Sequence, residues 1–280
     1  MGGTSGFTVA TVGDNTIDRY VGDESALYAG GNAYNVAAQL AGHGRSAAYF
    51  GAVGDDANGR TIARGLQRAG VDPVGLVTMT GSTAVTTIRV DDGERVFESE
   101  EFGVTTEYFP SDEHLELLAA SAWVHLGMIP RADELRRRLA EFAVRGPGTP
   151  VRPIVSQDCA VAQGFTALDV AFGSVGEHGD ARTWALDALA RGAASVVVTR
   201  GAAGSIATDG DGWFEQDAIT TDVVDTTGAG DAFIGGCIAA RVEGRDWPAA
   251  LERGASWAAE ACRHRGGWPN ALVSGSGVAL

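Results

Sequence analysis

Asp231 is the side chain in this sequence whose surroundings best suit chemistry, because of the stretch Asp225-Thr226-Thr227-Gly228-Ala229-Gly230-Asp231-Ala232-Phe233. An extended β-branched run, residues 219–224, precedes the glycines, and an apolar small-residue run, 232–240, follows them. That pattern predicts a strand, a tight glycine turn and a helix. At such a helix start the backbone N–H groups of Gly228, Ala229 and Gly230 lack intrahelical partners, and the macrodipole favours an anion. A carboxylate beside a bound phosphate is unfavourable unless it has a task, and taking the proton of an attacking hydroxyl is such a task. The same residues also read as plain capping. The local pattern leaves both readings open.

Two N-terminal constellations carry the same double reading. Asp14 and Asp18 bracket the polar segment GDNTIDRY, directly after the apolar run 7–12. A buried parallel strand would deliver them to its carboxyl end, where open α/β sheets bind ligands, yet turn or cap aspartates look alike. Gly30 and Gly31 allow close approach of backbone to a ligand. Asn32 and Asn35, three apart, share one face of the next helix's first turn and can both donate to and accept from hydroxyls. An Asn cap on a glycine turn is the competing explanation.

The elements that must position these groups alternate along the whole chain. Strands are expected over 46–53, 122–126, 152–157, 168–173 and 195–199, and helices over 60–69, 111–119, 131–144, 181–191 and 247–263. From residue 83 to 100 the pattern changes to alternation around a DDGE turn, a hairpin with polar faces that suits a small sheet standing off the core. Residues 266–280 read as a flexible tail apart from Trp268. The expectation is a single doubly wound α/β domain over residues 1–280, with no repeats or long linkers.

Composition narrows the chemistry. The net charge of −15 argues against nucleic-acid backbone binding. All 21 basic residues are arginine. Without lysine there is no Walker P-loop, no pyridoxal phosphate or Schiff-base chemistry, and no protein-kinase β3 lysine. Cys159, Cys237 and Cys262 lack disulfide or zinc spacing and read as buried thiols. No run of 18 apolar residues and no basic, apolar leader is present, so a soluble cytoplasmic protein without membrane partners is expected. A Rossmann dehydrogenase needs G-x-G-x-x-G after the first strand, where this chain has GDNTID.

The nine-residue string resembles the C-terminal signature of the ribokinase-like (pfkB-type) carbohydrate kinases, and GGNAYNVA at 30–37 resembles their N-terminal signature, GG-x-x-x-N. The resemblance implies a three-layer αβα, doubly wound, mostly parallel sheet with a small β-sheet lid, built from segments about 16–28 and 83–106. It implies ATP as phosphoryl donor, Mg²⁺ as cofactor, a small sugar as substrate and a homodimer through the lid, and it leaves a monovalent cation such as K⁺ open. Asp231 becomes the catalytic base, and Gly228, Ala229 and Gly230 become the anion hole. Asp225 and Thr226 would lie beside the nucleotide. Asp18, Gly31 and Asn35 would hold sugar hydroxyls, flanked by Gly30, Asn32 and Asp14; many members carry Lys or Pro where Asn32 stands. Arg89 either points at substrate or is an exposed hairpin arginine.

The family's T-x-G-x-x-G places Thr199, Gly201 and Gly204 against the nucleotide, and Ala255 or Ser256 on the adenine wall. Glu177 matches the acid of an Asn-x-x-Glu motif that organises Mg²⁺, although Ser174 replaces its Asn. The VGDD-x-x-G at 53–59 is read as structural. Within the family, GDN-x-x-D-x-Y, GGNA-x-NVA, the stretch from Glu94-Arg95-Val96-Phe97 to Phe102-Gly103-Val104, and Gly266-Gly267-Trp268 look most like the fructoselysine 6-kinases. The alternatives are a fructokinase, a 2-keto-3-deoxygluconate kinase, a nucleoside kinase, or a non-catalytic sugar- or nucleotide-binding regulator.

Overall fold

The computed structural model describes residues 7–22, 26–91, 94–142, 152–161, 164–269 and 273–274. The chain opens with β1 (Val9–Val12), β2 (Thr16–Gly22), β3 (Ala26–Gly30) and α1 (Asn32–Gly42). Next come β4 (Ala47–Gly54), α2 (Ala57–Ala69), β5 (Asp72–Met79) and the hairpin β6 (Val85–Asp91) and β7 (Glu94–Glu101). The middle comprises α3 (Asp112–Ala119), β8 (Trp123–Leu126), α4 (Ala132–Phe142), β9 (Ile154–Asp158), β10 (Leu168–Ser174) and α5 (Ala181–Ala190). The last third comprises β11 (Ala193–Thr199), β12 (Ser205–Thr208), β13 (Trp213–Gln216), α6 (Ala229–Val242), α7 (Trp247–Ala261) and β14 (Val273–Ser274).

Nine strands form one sheet in the order β13-β12-β11-β10-β9-β8-β1-β4-β5, parallel except where β12 and β13 fold back antiparallel at one edge. Alternate residues of β1 serve opposite faces. Ala10 and Val12 join Leu115, Leu135 and Ala185 from α3, α4 and α5, whereas Val9 joins Val36, Ile238 and Leu251 from α1, α6 and α7. The sheet is therefore buried on both sides, as parallel strands require, and the layers are αβα. Ile62 and Leu66 seat α2 against Tyr34 and Ala37 of α1. Several helix starts are fixed by an acid or hydroxyl: Asp56, Ser111, Asp180 and Asp246 each accept from a backbone N–H three residues on. Asp56 also receives the N–H and hydroxyl of Thr83.

A second sheet, β14-β3-β2-β6-β7, stands off the first. It contains both segments in which an accessory sheet was expected. Asp92 and Gly93 of the expected DDGE turn lie outside the described residues, as does residue 143 onward of the helix expected to reach 144.

Three expectations need correction. Residues 219–224 form no strand. Ile219, Val223 and Val224 are 43%, 62% and 55% exposed, and Val224 N–H bonds the Cys262 carbonyl at 2.8 Å. β-Branching favours a strand only where there is a pleated, half-buried surface to fit, and β13 already closes that edge. The short strands β12 and β13, four residues each, were not foreseen because neither is long enough to show a period. The tail is also partly built in: Val273 pairs with Leu27 in the second sheet, Trp268 packs beside α1 and α2, and Gln39 Nε2 donates to the Gly267 carbonyl at 2.8 Å. The three cysteines are free, with Cys262 only partly buried. Among the described residues no helix is long and apolar enough to cross a membrane.

Candidate active site

The parallel strands deliver polar residues to their carboxyl ends, beside β1, where the strand order reverses. Asp14 follows β1, Asp158 ends β9 and Thr199 ends β11. The carboxylate of Asp231 reaches this edge from the first turn of α6.

Asp231 does not cap its own helix. Its Oδ1 accepts from Asn32 Nδ2 at 2.6 Å and its Oδ2 from Asn35 Nδ2 at 2.8 Å. That geometry excludes the capping reading for the acid and for both asparagine side chains. Gly228, at φ 74°, makes the turn into α6, and the helix start carries no side-chain cap. The Ala229 N–H bonds the Thr226 carbonyl at 3.2 Å, whereas the N–H groups of Gly228, Gly230 and Asp231 have no hydrogen-bond partner among the described residues. A Cβ on Gly230 would meet nothing within 4 Å. Two glycine amides without partners among the described residues thus lie beside a carboxylate, with open space at Gly230. Burial raises the Asp231 carboxyl to about 8; Asn35 pulls it back, and the nearby Asp158 and Asp14 push it further up.

Glycines make room for the polar wall. Gly267 lies against the Asn35 carboxamide, and Gly228 against the Gly267 backbone. A Cβ at Gly30 would sit 2.5 Å from Asp18 Oδ2. Gly228→Ala combines a left-handed backbone, worth about 1–2 kcal/mol, with that backbone collision. Its thermal midpoint should fall by roughly 2–4 °C per kcal/mol lost. An unchanged melting curve would contradict the close approach.

The four N-terminal groups divide by role. Asp14 commits both oxygens to backbone amides, of Asn32 at 2.7 Å, Ala33 at 3.2 Å and Met128 at 3.1 Å, so it caps α1 and ties it to β8. The Asp18 carboxylate has no hydrogen-bond partner among the described residues, and burial first, then Asp14, Asp225 and Glu100, raise it to about 7. Register places Asp18 opposite Thr86, and Thr86 opposite Glu100, so these three form one row across β2, β6 and β7. Gly31 holds φ 107° at the start of α1. Arg89 lies on the opposite face of the sheet from Asp18 and pairs with Glu98. The structure does not bring it to the cluster.

On the other flank, Thr199 Oγ1 donates to the Gly173 carbonyl at 3.3 Å. Gly201, at φ 58°, lies against Glu177, where a Cβ would stand 3.2 Å from Glu177 Cγ. Gly204, at φ 85°, passes close to the Gln216 carbonyl. Asp225 is buried and accepts from Thr227 N–H at 2.8 Å and Gly266 N–H at 3.0 Å, which locks the glycine turn to the tail, while Thr226 is exposed. Ala255 is buried in the core against α6 and Ser256 is exposed; neither approaches the acids through any hydrogen bond.

Sequence reading missed Asp158, Asn15 and Gln39. Asn15 Nδ2 bonds Tyr49 Oη at 3.0 Å and the Ala52 carbonyl at 2.7 Å, anchoring the crossing from β1 to β2. Asp158 is buried and receives Asn32 Nδ2 at 2.8 Å. Its available signal was an acid closing a short apolar strand.

A family model described as "pfkB family carbohydrate kinase" matches residues 14–136 and 168–271. The chain is 34% identical over 263 residues to a fructoselysine 6-kinase of Shigella flexneri, covering 93% of this chain and 99% of that one. It is 27% identical over 279 residues to a fructosamine kinase of Bacillus subtilis, covering 94% and 95%. In structure it is similar to Arabidopsis thaliana ribokinase complexed with ribose and ATP, with a TM-score of 0.80 at 23% identity over 93% and 94% of the two chains. That likeness establishes the ribokinase-like fold.

Proposed function

This chain belongs to the pfkB family of carbohydrate kinases, and from that premise we propose that it transfers the γ-phosphoryl group of ATP to the 6-hydroxyl of a fructosyl-amine such as fructoselysine. The observation that carries the reading is the Asp231 carboxylate, raised to about 8 and held by two carboxamides beside unpartnered glycine amides. A base in that range is strong when ionised and still ionises near neutrality.

In this reading Asp231 accepts the proton of the sugar hydroxyl as that oxygen attacks the γ-phosphorus in line. The bond from phosphorus to the bridging oxygen breaks, and ADP leaves. The Gly228 and Gly230 amides face the charge that builds on the transferred group. Asp18, lacking a partner, accepts sugar hydroxyls, and Gly30 and Gly31 let the sugar lie against the backbone. The second sheet is the lid, with segments 16–28 and 83–106, and its closure keeps water from ATP. We assign the same sheet to homodimer contact, and residues 1–280 to one kinase domain.

The nucleotide flank comprises Thr199, Gly201, Gly204 and the 225–230 turn. The hard oxygens of Glu177 fit magnesium, which takes most of its ligands from phosphate and water and needs few protein carboxylates. Among the described residues no three acids, histidines or cysteines form a metal cage. Bound there, Mg²⁺ would neutralise charge on the β- and γ-phosphates.

The amine in the substrate is supported by the named relatives and by charge. Asp18 and Glu100 share one row, and no arginine bonds Asp14, Asp18, Asp158 or Asp231 among the described residues. ADP release would be measured with Mg-ATP and fructoselysine, other fructosyl-amino acids, fructose, ribose, 2-keto-3-deoxygluconate or adenosine. A fructosyl-amine should give the highest kcat/KM. Preference for a free sugar or a nucleoside would keep the kinase and remove the amine, and silence with ATP still bound would favour a regulator. Asp18→Asn should raise KM for the fructosyl-amine by about 10–100-fold, the worth of a charged hydrogen bond, and raise it less for fructose. Equal losses for both would sink the charge argument.

A further inference from the structure

Asn32 donates both hydrogens of one carboxamide to two different carboxylates, Asp231 Oδ1 at 2.6 Å and Asp158 Oδ2 at 2.8 Å. Asp158 closes β9, is 8% exposed, and holds its other oxygen on the Ala160 N–H at 2.9 Å. Two carboxylates on one NH₂ group lie within roughly 5 Å of each other, given the usual reach of such bonds. We propose that Asp158 is a positioning residue for Asp231: through Asn32 it fixes how the Asp231 carboxylate is presented, and as a like charge at close range it sets how readily Asp231 holds a proton. The inference rests on the reading of Asp231 as the base.

No cation among the described residues pairs with that charge. The sequence has no lysine, and no described arginine bonds either acid. From α1, Asp231 faces the neutral Asn32 and Asn35; from the β1–β2 connection, Asp14, already committed to backbone amides; from β9, Asp158; and from its own helix, the N-terminal amides. The carboxamide of Asn32 has only two donors, and each acid takes one. The bridge is therefore complete without substrate, and it holds Asp231 rigidly while leaving its charge uncompensated. Burial raises both carboxyls, Asp158 to about 6 with Asp14 adding, and Asp231 further. The two titrate as a pair, so the acid limb of kcat reports the pair rather than either residue.

The test compares the pH dependence of kcat in the wild type and in Asp158→Asn, using the best substrate of the panel. Asn can keep its one oxygen on Asn32, giving up the Ala160 N–H, and removes the charge. The acid limb should move down by about one pH unit or more, with KM for ATP unchanged, and Asp158→Glu should restore it. A limb that stays in place, or a kcat reduced equally at every pH, would overturn the proposal. Carbon-13 titration of the aspartate carboxyls provides a second readout that needs no turnover. Asp158 ionises first, so its charge is present while Asp231 titrates, and Asp158→Asn should lower the Asp231 midpoint by a similar amount while Asp158→Glu leaves it in place. An Asp231 midpoint indifferent to Asp158 overturns the coupling. Wild-type inactivity on every carbohydrate would remove the proposed activity, and the carboxyl titration would still decide this inference.

Discussion

Asp231→Asn should lose about 10²–10⁴-fold in kcat, the usual worth of a general base, while ATP binding and the folded state survive. The variant is close to isosteric, so the question is whether the polar wall can accept it. Both oxygens of Asp231 receive N–H donors from Asn32 and Asn35, and an amide at 231 would set one donor against another. The Oδ1 atoms of Asn32 and Asn35 are buried without partners. Turning the Asn35 carboxamide over offers its oxygen to the new NH₂ and removes the conflict. The expected variant is therefore folded, binds ATP by calorimetry, and barely releases ADP. Near-wild-type turnover would refute Asp231 as the base. Loss of ATP binding together with turnover would instead mean that the 228–231 turn had collapsed.

What the sequence made legible was local. The glycine turn, its acid and the Asn32–Asn35 face each occupy a few consecutive residues, so composition and spacing announce them. The pair readings, base or cap, pocket acid or cap, could not be decided locally, since a carboxylate at a helix start looks alike in both. Distance shows which acid caps: Asp14 holds three backbone amides, and Asp231 none of its own. Asp158 was invisible for the same reason, because its partner Asn32 is 126 positions away and no periodicity links strand β9 to helix α1. Arg89 misleads in the other direction. It lies on β6, the strand paired with Asp18's own, but strand alternation puts it on the other face. Residues 219–224 had the composition of a strand and no sheet edge to join.

Stability should fall as pH rises from about 4 to about 8, the reverse of the usual acid-denaturation slope over that range. The sign follows from the raised carboxyls. Asp158, Asp18 and Asp231 stand at about 6, 7 and 8 in the folded chain against 3.8 unperturbed. Between those limits the folded state retains protons that the unfolded chain has released. Their contribution is thus most favourable below the unfolded pKa and is lost as pH rises through the folded values. Asp56, Asp180, Asp209 and Glu243 are shifted down instead, so their contribution is lost only at lower pH, below the window in question. At about 1.4 kcal/mol per unit, Asp158 alone is worth on the order of 2–3 kcal/mol by pH 8, or roughly 2–4 °C per kcal/mol in thermal midpoint. Scanning calorimetry should find the midpoint highest near pH 4, and Asp158→Asn should raise it at pH 8 while changing little near pH 4. A midpoint that climbs steadily from pH 5 to 8 would mean the acids are compensated in the folded state. Ligands sharpen the argument. An ammonium-bearing sugar seated against these carboxylates should flatten the slope, because it stabilises their charged forms, whereas fructose at the same occupancy should leave the slope in place. Acids left without a cation in this way would destabilise the fold that carries them, the usual trade between stability and activity, and a bound ammonium would relieve it.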